Sequence, residues 1–184
     1  MLDNNLDISQ DLVSLSETPV VTISSGAKSI LDLPKTVESL EALGIPVVGY
    51  KTSFFPAFYT SSSGIKVPNT IKTAKQASLL FLNHLKVGLK SSLLIVNPIP
   101  KKKEIPKEEI DILVNDSLSE AIENNIKGKN LTPFLLKKIV QKTDGRSLSA
   151  NIALAESNID VGAKIARQLY KRDNLSSNTF RNIV

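Results

Sequence analysis

The 184-residue chain contains no cysteine and no tryptophan, and it has a single histidine, His84. Without cysteine there can be no disulfide bond, no thiolate zinc site and no cysteine nucleophile. One histidine excludes a metal site with several imidazole ligands, and a Ser–His catalytic pair would have to use His84. Because His84 lies beside Leu85 in an amphipathic segment, we expect it to be structural or on the surface. Acids, bases and metal ligands must therefore come mainly from Asp, Glu, Lys, Asn or Tyr.

Long apolar runs are also missing, and aromatic residues make up only 5% of the chain. No segment approaches the roughly 20 apolar residues of a membrane-spanning helix. The first ten residues contain no Lys or Arg, unlike a signal or transit peptide. The aromatic residues are not interleaved with the basic clusters, so the net charge of +5 does not indicate a nucleic-acid surface. A phosphorylated small substrate fits this mild basic excess. We expect a cytoplasmic protein that binds neither membranes nor nucleic acids.

What is present predicts an α/β fold with a mostly parallel sheet and flanking helices. Short β-branched or apolar runs predict strands at 19–24, 46–50 and 92–96. Apolar residues at three- and four-residue steps predict helices at about 30–43 and 73–87 between them. The first two strands should form a β-α-β unit, which is parallel with a right-handed crossover.

The C-terminal third is predicted to be helical. The expected helices cover 108–124, about 132–143, where Thr132 would cap the helix and Pro133 would open it, and 147–170. Residues 172–184 are polar and predict a frayed tail. The last helix has an apolar stripe that we expect to face the core: Leu148, Ile152, Ala155, Ile159, Ala163 and Ala166.

Lys28 follows the first predicted strand, in the run Ser24-Ser25-Gly26-Ala27-Lys28-Ser29. Open α/β sheets bind ligands just beyond the carboxyl ends of their strands, which makes Lys28 a candidate nucleophile. A lysine amine attacks carbon only in its neutral form, which burial or a nearby cation favours. The alternative is a solvated loop lysine. A phosphate-binding loop is not indicated, because Ala27 separates Gly26 from Lys28 and the upstream glycine is missing.

Three other polar sites are candidates. Asp7-Ile8-Ser9-Gln10-Asp11 offers two carboxylates and a hydroxyl, which suit either a helix N-terminus or a hard metal such as Mg²⁺ or Mn²⁺ with a sugar or phosphate ligand. Asn97, in Asn97-Pro98-Ile99-Pro100, either binds a ligand or shapes the turn. Asn151 lies next to the apolar stripe of the last helix, where an amide is either a buried structural group or faces a ligand.

The ordered motifs resemble those of the pseudouridine-5′-phosphate glycosidase family, also called the indigoidine synthase A family. The resemblance covers about residues 6 to 172, so a partial family domain is expected at 1–172 and a polar tail at 173–184. The matching strings are Asp7-Ile8-Ser9-x-Asp11-Leu12, Ser25-Gly26-Ala27-Lys28-Ser29-Ile30-Leu31-Asp32, Gly44-x-Pro46-Val47-x-Gly49-Tyr50, Phe55-Pro56-Ala57-Phe58-Tyr59, Asn97-Pro98-Ile99-Pro100, Thr132-Pro133-Phe134-Leu135-Leu136 and Ser147-Leu148-x-x-Asn151-Ile152.

The resemblance implies that pseudouridine 5′-phosphate and water interconvert with uracil and ribose 5-phosphate. It makes Lys28 the nucleophile that attacks the anomeric carbon and forms a Lys–sugar imine, and it makes Asn151 an active-site residue. It also implies that Asp7 is a metal ligand, with Mn²⁺ or another hard divalent ion as cofactor. The substrate-binding stretch is implied at Ser9, Gln10 and Asp11, although Gln10 departs from the family's usual Ala.

The family domain begins upstream of the matching strings, with a glutamate proton donor, a phosphate-binding lysine and a loop containing Gly and His. We therefore expect this chain to hold the C-terminal part of the domain. The alternative function is a truncated, non-catalytic protein that binds a sugar phosphate or a partner. Members of the family are homotrimers, so a homotrimer is expected for a full-length domain.

Overall fold

The computed structural model describes residues 10–28 and 32–181, and it confirms an α/β fold. Four parallel strands form one sheet in the order β1-β4-β2-β3. The strands are β1 (Val21–Ser24), β2 (Val47–Tyr50), β3 (Asn69–Ile71) and β4 (Leu93–Val96). The helices are α1 (Gln10–Glu17), α2 (Leu33–Ala42), α3 (Ala74–Lys86), α4 (Lys107–Glu123), α5 (Leu131–Lys142) and α6 (Arg146–Arg181).

The sheet differs from the predicted one in two ways. The short strand β3 lies in a segment that sequence patterns assign to a loop, because three residues after Pro68 are too few to show alternation. The β-α-β unit of β1, α2 and β2 is parallel, but its strands are not neighbours. β4 pairs with both of them and occupies the centre of the sheet.

Helices cover both faces of the sheet. β4 is buried throughout, as expected for a central parallel strand, and its side chains alternate between the faces. Leu93 and Ile95 pack in a cluster with α3 and α6. Leu94 and Val96 pack in a second cluster with α1 and α2. The carboxyl ends of β1 and β4 lie side by side, because Ser24 pairs with Val96.

A third apolar cluster joins α4, α5 and the beginning of α6 beyond the carboxyl ends of the strands. Its centre includes Ile110, Ile139 and Leu154, each at most 2% exposed. Ion pairs surround this cluster. Glu120 of α4 contacts both Lys138 and Lys142 of α5, and Glu109 contacts Arg146 at the start of α6. The cluster fixes the first turns of α6 above the sheet.

Helix boundaries correct two predictions. α5 begins at Leu131, after a 3-10 turn over Gly128–Asn130, so Thr132 does not cap it. Pro133 is tolerated there because the N–H groups of a helix's first turn have no partner within the helix. α6 continues through Arg181, past its expected end at Tyr170.

The face of α6 that packs on the core is not the predicted stripe. The buried positions are Ala150, Leu154, Val161 and Ile165, whereas Leu148 and Ile152 are 53% exposed and Ile159 is 70% exposed. The helix carries two apolar faces, and hydrophobic periodicity alone cannot say which of them meets the sheet.

No helix in the described ranges is both long enough and apolar enough to cross a lipid bilayer.

Candidate active site

The segment from Ser25 to Lys28 leaves the carboxyl end of β1 as a tightly held loop. Ser25 is buried, and its carbonyl oxygen accepts a hydrogen bond from the N–H of Phe58 at 3.1 Å. Gly26 forms an isolated antiparallel bridge with Ala57. Lys28 follows two residues later and is half-buried. The structure therefore places Lys28 at the sheet edge where sequence reasoning expected a ligand site.

Gly26 is required by both conformation and space. Its φ of +80° lies in the left-handed region, which side chains other than glycine rarely adopt. A Cβ atom added there would lie 1.8 Å from the carbonyl oxygen of Pro56, which is backbone and cannot rotate away. The loop that carries Lys28 thus packs directly on the segment around Phe55-Pro56-Ala57.

A network of polar side chains joins the Lys28 loop to α6. The Asn97 side-chain amide, 6% exposed, donates to Ser157 Oγ and to Asn158 Oδ1, both at 3.0 Å. Asn158 Nδ2 lies 3.1 Å from Ser25 Oγ and donates to it. Since Asn97 follows β4 and Ser25 follows β1, one amide on α6 links both strand ends.

Of these groups, sequence reasoning found only Asn97 and missed Ser25, Ser157 and Asn158. Asn97 is held inside the protein, and its side chain reaches α6 rather than only shaping the turn. A usable signal existed for Asn158: it lies seven residues after Asn151, which is two helical turns along nearly the same side of α6. Two amides at that spacing on an otherwise apolar side indicate a polar region facing the helix.

Asn151 lies in the first turns of α6 and is exposed, so it is not a buried structural amide. It is about 10 Å along the helix from Asn158. This position leaves the Asn151 amide available to a ligand beyond the strand ends. The described hydrogen bonds do not join it to Lys28.

Gln10 and Asp11 form the exposed first turn of α1. α1 ends at the amino end of β4, where Ser92 N donates to Leu15 O at 2.6 Å. Leu12 and Leu15 of α1 pack against the same apolar cluster as Ala27, which precedes Lys28 in the chain. Asp7 and Ser9 lie outside the described residues, so their predicted roles stay predictions.

The described part of the chain, 10–28 and 32–181, contains no cluster of three His, Cys, Asp or Glu residues that could hold a metal ion. Asp11 is the only carboxylate of the predicted metal-binding stretch inside these ranges. The described residues therefore do not by themselves fit a manganese site.

His84 has a structural role, which is one of the two roles that the sequence led us to expect. It is 6% exposed, its Nε2 lies 2.7 Å from the carbonyl oxygen of Ser91, and its ring stacks on Phe81 at 6.2 Å between centroids. It lies near the amino end of β4, whereas Lys28 follows the carboxyl end of β1. It takes no part in the candidate site.

Cleft size does not identify the active site, as two clefts within the described ranges show. The larger of these two, about 890 Å³, lies between α2 and α3 at the free edge of β3; His84 lines it, but Lys28, Asn97 and Asn151 do not. The smaller, about 300 Å³, is lined by Asp32, Ala57, Thr60 and Lys107 among others. Only the smaller one borders the Lys28 loop, through Ala57. We place the site by its chemical groups at the strand ends.

Curated proteins are similar to this chain in sequence. A pseudouridine-5′-phosphate glycosidase of Staphylococcus aureus is 47% identical over 89% of this chain and 53% of its own length. Its counterpart in Legionella pneumophila is 48% identical over 91% of this chain and 54% of its own. The chain thus spans about half the length of these curated relatives.

Solved structures agree in fold. A crystal structure of an indigoidine synthase A-like protein of Thermotoga maritima matches 88% of this chain and 53% of its own, with 42% identity and a TM-score of 0.77. The prealnumycin C-glycosynthase AlnA, solved in complex with ribulose 5-phosphate, matches 93% of this chain and 56% of its own, with 27% identity and a TM-score of 0.87. The family model described as indigoidine synthase A like protein matches residues 1–168. The chain therefore belongs to the indigoidine synthase A-like family.

Proposed function

We propose that this chain provides the nucleophile-bearing half of a pseudouridine-5′-phosphate glycosidase. The observation that best supports this proposal is that Lys28 lies on a loop held at the carboxyl ends of β1 and β4. The names of the relatives give the reaction, since several glycosidases of pseudouridine 5′-phosphate are 43–48% identical to this chain. A sugar phosphate is also the ligand in the AlnA structure, which supports an open-chain pentose phosphate as the bound species.

The chemistry needs a covalent intermediate because the bond to be broken is carbon–carbon. Attack by the neutral Lys28 amine forms a bond to the anomeric carbon. The ring C–O bond breaks, and the released oxygen takes a proton. The nitrogen lone pair then forms the C=N bond while the bond to uracil C5 breaks, and C5 takes a proton. Water adds to the imine and releases ribose 5-phosphate with the Lys28 amine restored.

In this reaction, the role of the described residues is to hold the Lys28 loop in position. The network from Asn97 through Asn158 to Ser25 holds the start of the Lys28 loop, and positioning of this kind lowers the entropic part of a barrier. Asn151 is the proposed hydrogen-bonding residue for substrate, and Gln10 and Asp11, with Ser9, are the proposed binding stretch. Asp7 is the proposed ligand of Mn²⁺ or a similar hard ion.

Borohydride trapping tests the proposal. Ribose 5-phosphate plus borohydride should convert one lysine to a stable secondary amine, and peptide mass mapping should locate it at Lys28. Lys28→Arg keeps the charge and should abolish the adduct, whereas Lys66→Arg should not change it. An adduct on other lysines with Lys28 unmodified would disprove the assignment. Release of uracil from pseudouridine 5′-phosphate, measured beside the trapping, separates the enzyme from a protein that only binds sugar phosphates.

Assembly and location are part of the same proposal. We propose a homotrimer for the complete domain and a cytoplasmic location. Light scattering of the purified protein measures the first, and fractionation of cells the second.

A further inference from the structure

Phe58 has a backbone conformation that aromatic residues rarely adopt. In the described part of the chain, four residues other than glycine have a positive φ. Asn125 and Asp144 directly follow the C-caps of α4 and α5, where the left-handed conformation commonly ends a helix. Lys51 is an exposed residue in the bend after β2. Phe58, with a φ of +62°, is the bulky aromatic residue among the four, and it lies at no helix end.

Hydrogen bonds on both sides of Phe58 hold it in this conformation. Its own N–H donates to the carbonyl oxygen of Ser25 at 3.1 Å. The next carbonyl along the chain, that of Tyr59, accepts a hydrogen bond from the N–H of Ile105 at 3.0 Å. A strained backbone persists only where its surroundings determine it in several ways, and such positions concentrate at ligand sites. The strain at Phe58 therefore calls for a functional reading.

A carboxylate fixes the same loop a few residues further on. The N–H and the hydroxyl group of Ser61 both donate to Glu104 Oε1, at 2.7 and 2.6 Å. Glu104 belongs to the segment that follows β4, whereas Ser25, which contacts Phe58, follows β1. The loop of Phe58 is thus bonded to the chain beyond the same two strand ends that hold the Lys28 loop.

The side chain of Phe58 is only partly covered. It is half-buried and packs against the apolar cluster of α4, α5 and α6. Its ring meets that of Tyr59 at 84°, with 4.9 Å between the centroids. This edge-to-face contact leaves at least one face of the Phe58 ring without a contact to Tyr59. Phe58 therefore offers aromatic surface beside the loop that carries Lys28.

The other aromatic residues of this loop fit a ligand less well. Phe55 and Tyr59 are buried, at 2% and 4% exposed. Phe54 is 37% exposed, but its backbone forms an isolated bridge with Lys66 and not with the Lys28 loop. Phe58 alone among them combines an accessible ring with a direct backbone contact to the end of β1.

We propose that Phe58 is the residue on which the uracil ring of pseudouridine 5′-phosphate stacks while Lys28 attacks the sugar. The inference rests on the proposed function and adds a specificity-determining residue to it. Uracil is bonded directly to the carbon that Lys28 attacks, so the surface that binds the base must lie next to the Lys28 loop. Planar bases stack on aromatic side chains, and a backbone held from both sides keeps this ring in place before the substrate arrives.

A competition experiment separates the base from the sugar phosphate. Isotope-labelled ribose 5-phosphate is trapped on Lys28 with borohydride at increasing concentrations of unlabelled pseudouridine 5′-phosphate, and mass spectrometry quantifies the labelled adduct. Phe58→Leu keeps an apolar side chain without an aromatic face, and Phe58→Asn removes the ring with a residue that tolerates a positive φ. Phe58→Tyr keeps the ring. Phe54→Leu is the matched control on the same loop.

Phe58→Leu and Phe58→Asn should each need about tenfold more pseudouridine 5′-phosphate to halve the labelled adduct, because the base loses its stacking partner. Trapping of ribose 5-phosphate alone should be unchanged in both. Phe58→Tyr and Phe54→Leu should behave as the wild type in both measurements.

An unchanged competitor concentration in a folded Phe58→Leu or Phe58→Asn protein would overturn the proposal. Slower trapping of ribose 5-phosphate alone would also overturn it, because Phe58 would then support the Lys28 loop and not the base. Unfolding of both variants, seen by circular dichroism, would assign the ring to the core with the same consequence. A wild-type protein that forms no adduct at Lys28 would instead refute the proposed chemistry, and the role of Phe58 would fall with it.

Discussion

The side-chain amide of Asn97 donates to Asn158 Oδ1 at 3.0 Å and joins the end of β4 to the middle of α6. Asn158 in turn donates to Ser25 Oγ at 3.1 Å, next to the loop of Lys28. Asn158, 133 residues after Ser25 in the chain, thereby holds the loop after β1 in position. Because Asn97 is 6% exposed, its amide cannot easily exchange this partner for water.

Asn158→Ala should lower the free energy of unfolding by about 1–3 kcal/mol, because the Asn97 amide loses one buried partner and Ser25 loses its donor. Asn151→Ala, on the same helix but exposed, should stay within about 0.5 kcal/mol of the wild type. Urea denaturation followed by circular dichroism measures both. Equal stabilities for the two variants would contradict the buried network described here.

The same two variants distinguish a residue that positions the Lys28 loop from a residue that contacts the sugar. Asn158→Ala should slow borohydride trapping at Lys28 with ribose 5-phosphate by roughly tenfold at saturating sugar, because a loosely held loop gives up part of the positioning advantage. Asn151→Ala should instead raise the sugar concentration needed for half-maximal trapping. A folded Asn158→Ala protein that traps sugar at the wild-type rate would remove Asn158 from this role.

Gly26→Ala should be among the most damaging single-methyl additions in the chain. The new Cβ would lie 1.8 Å from Pro56 O while the backbone keeps a φ of +80°. Gly64→Ala is the matched control, since its φ is +85° but no atom lies within 4 Å of the added carbon. The control should cost about 1 kcal/mol from the left-handed backbone alone, and Gly26→Ala about 2 kcal/mol more. Similar costs would show that the loop can move away from Pro56.

Local patterns predicted most elements because each element depends on neighbouring residues. The runs before Gly26 and Gly44 gave β1 and α2 within a few residues, and the capping residues Thr73 and Gln76 are where α3 begins. Strand order could not be predicted in this way. β4 lies between β1 and β2 because of packing among residues more than 40 positions apart, which no local period records.

The candidate site also contains features that depend on neighbouring residues and features that depend on distant ones. Lys28 was predicted because it follows a strand, and strand ends gather ligand groups. Asn158 was missed because its importance comes from a partner at the end of β1, not from its own neighbours. The prediction of which face of α6 packs on the core was wrong for a related reason. Both sides of the helix are apolar, and the stripe with more large apolar residues is the one that the described chain leaves exposed.

The corrected orientation of α6 predicts unequal effects for two leucines six residues apart. Leu154, 2% exposed, packs in the cluster with α4 and α5, and Leu154→Ala should cost about 2–5 kcal/mol. Leu148, 53% exposed, should lose less than about 1 kcal/mol on the same change in the isolated chain. Thermal or urea unfolding compares them. A larger loss of stability for Leu148→Ala than for Leu154→Ala would mean that the predicted stripe, and not the Leu154 face, packs in the core.

The ion pairs of Glu120 should make the stability of the fold depend on pH in the acid range. Hydrogen bonds from Lys138 and then Lys142 favour its charged form and lower its pKa from 4.5 to about 2. A carboxylate with a lowered pKa in the folded state stabilises that state above its unfolded pKa, and the stabilisation is lost as the pH falls through the folded pKa. The contribution of Glu120 should therefore be complete above about pH 4.5 and disappear toward pH 2.

Glu120→Gln should accordingly lower the melting temperature at pH 6, and its difference from the wild type should shrink below pH 4.5 and vanish near pH 2. Added salt should reduce the difference at pH 6, because both lysines and the carboxylate are partly exposed. Glu123→Gln makes the same change of charge on α4 outside this ion-pair cluster and should lower the melting temperature at pH 6 by less than Glu120→Gln does. If the two variants have the same pH profile, the link between α4 and α5 does not depend on Glu120, and their packing rests on the apolar contacts of Ile110 and Ile139 instead.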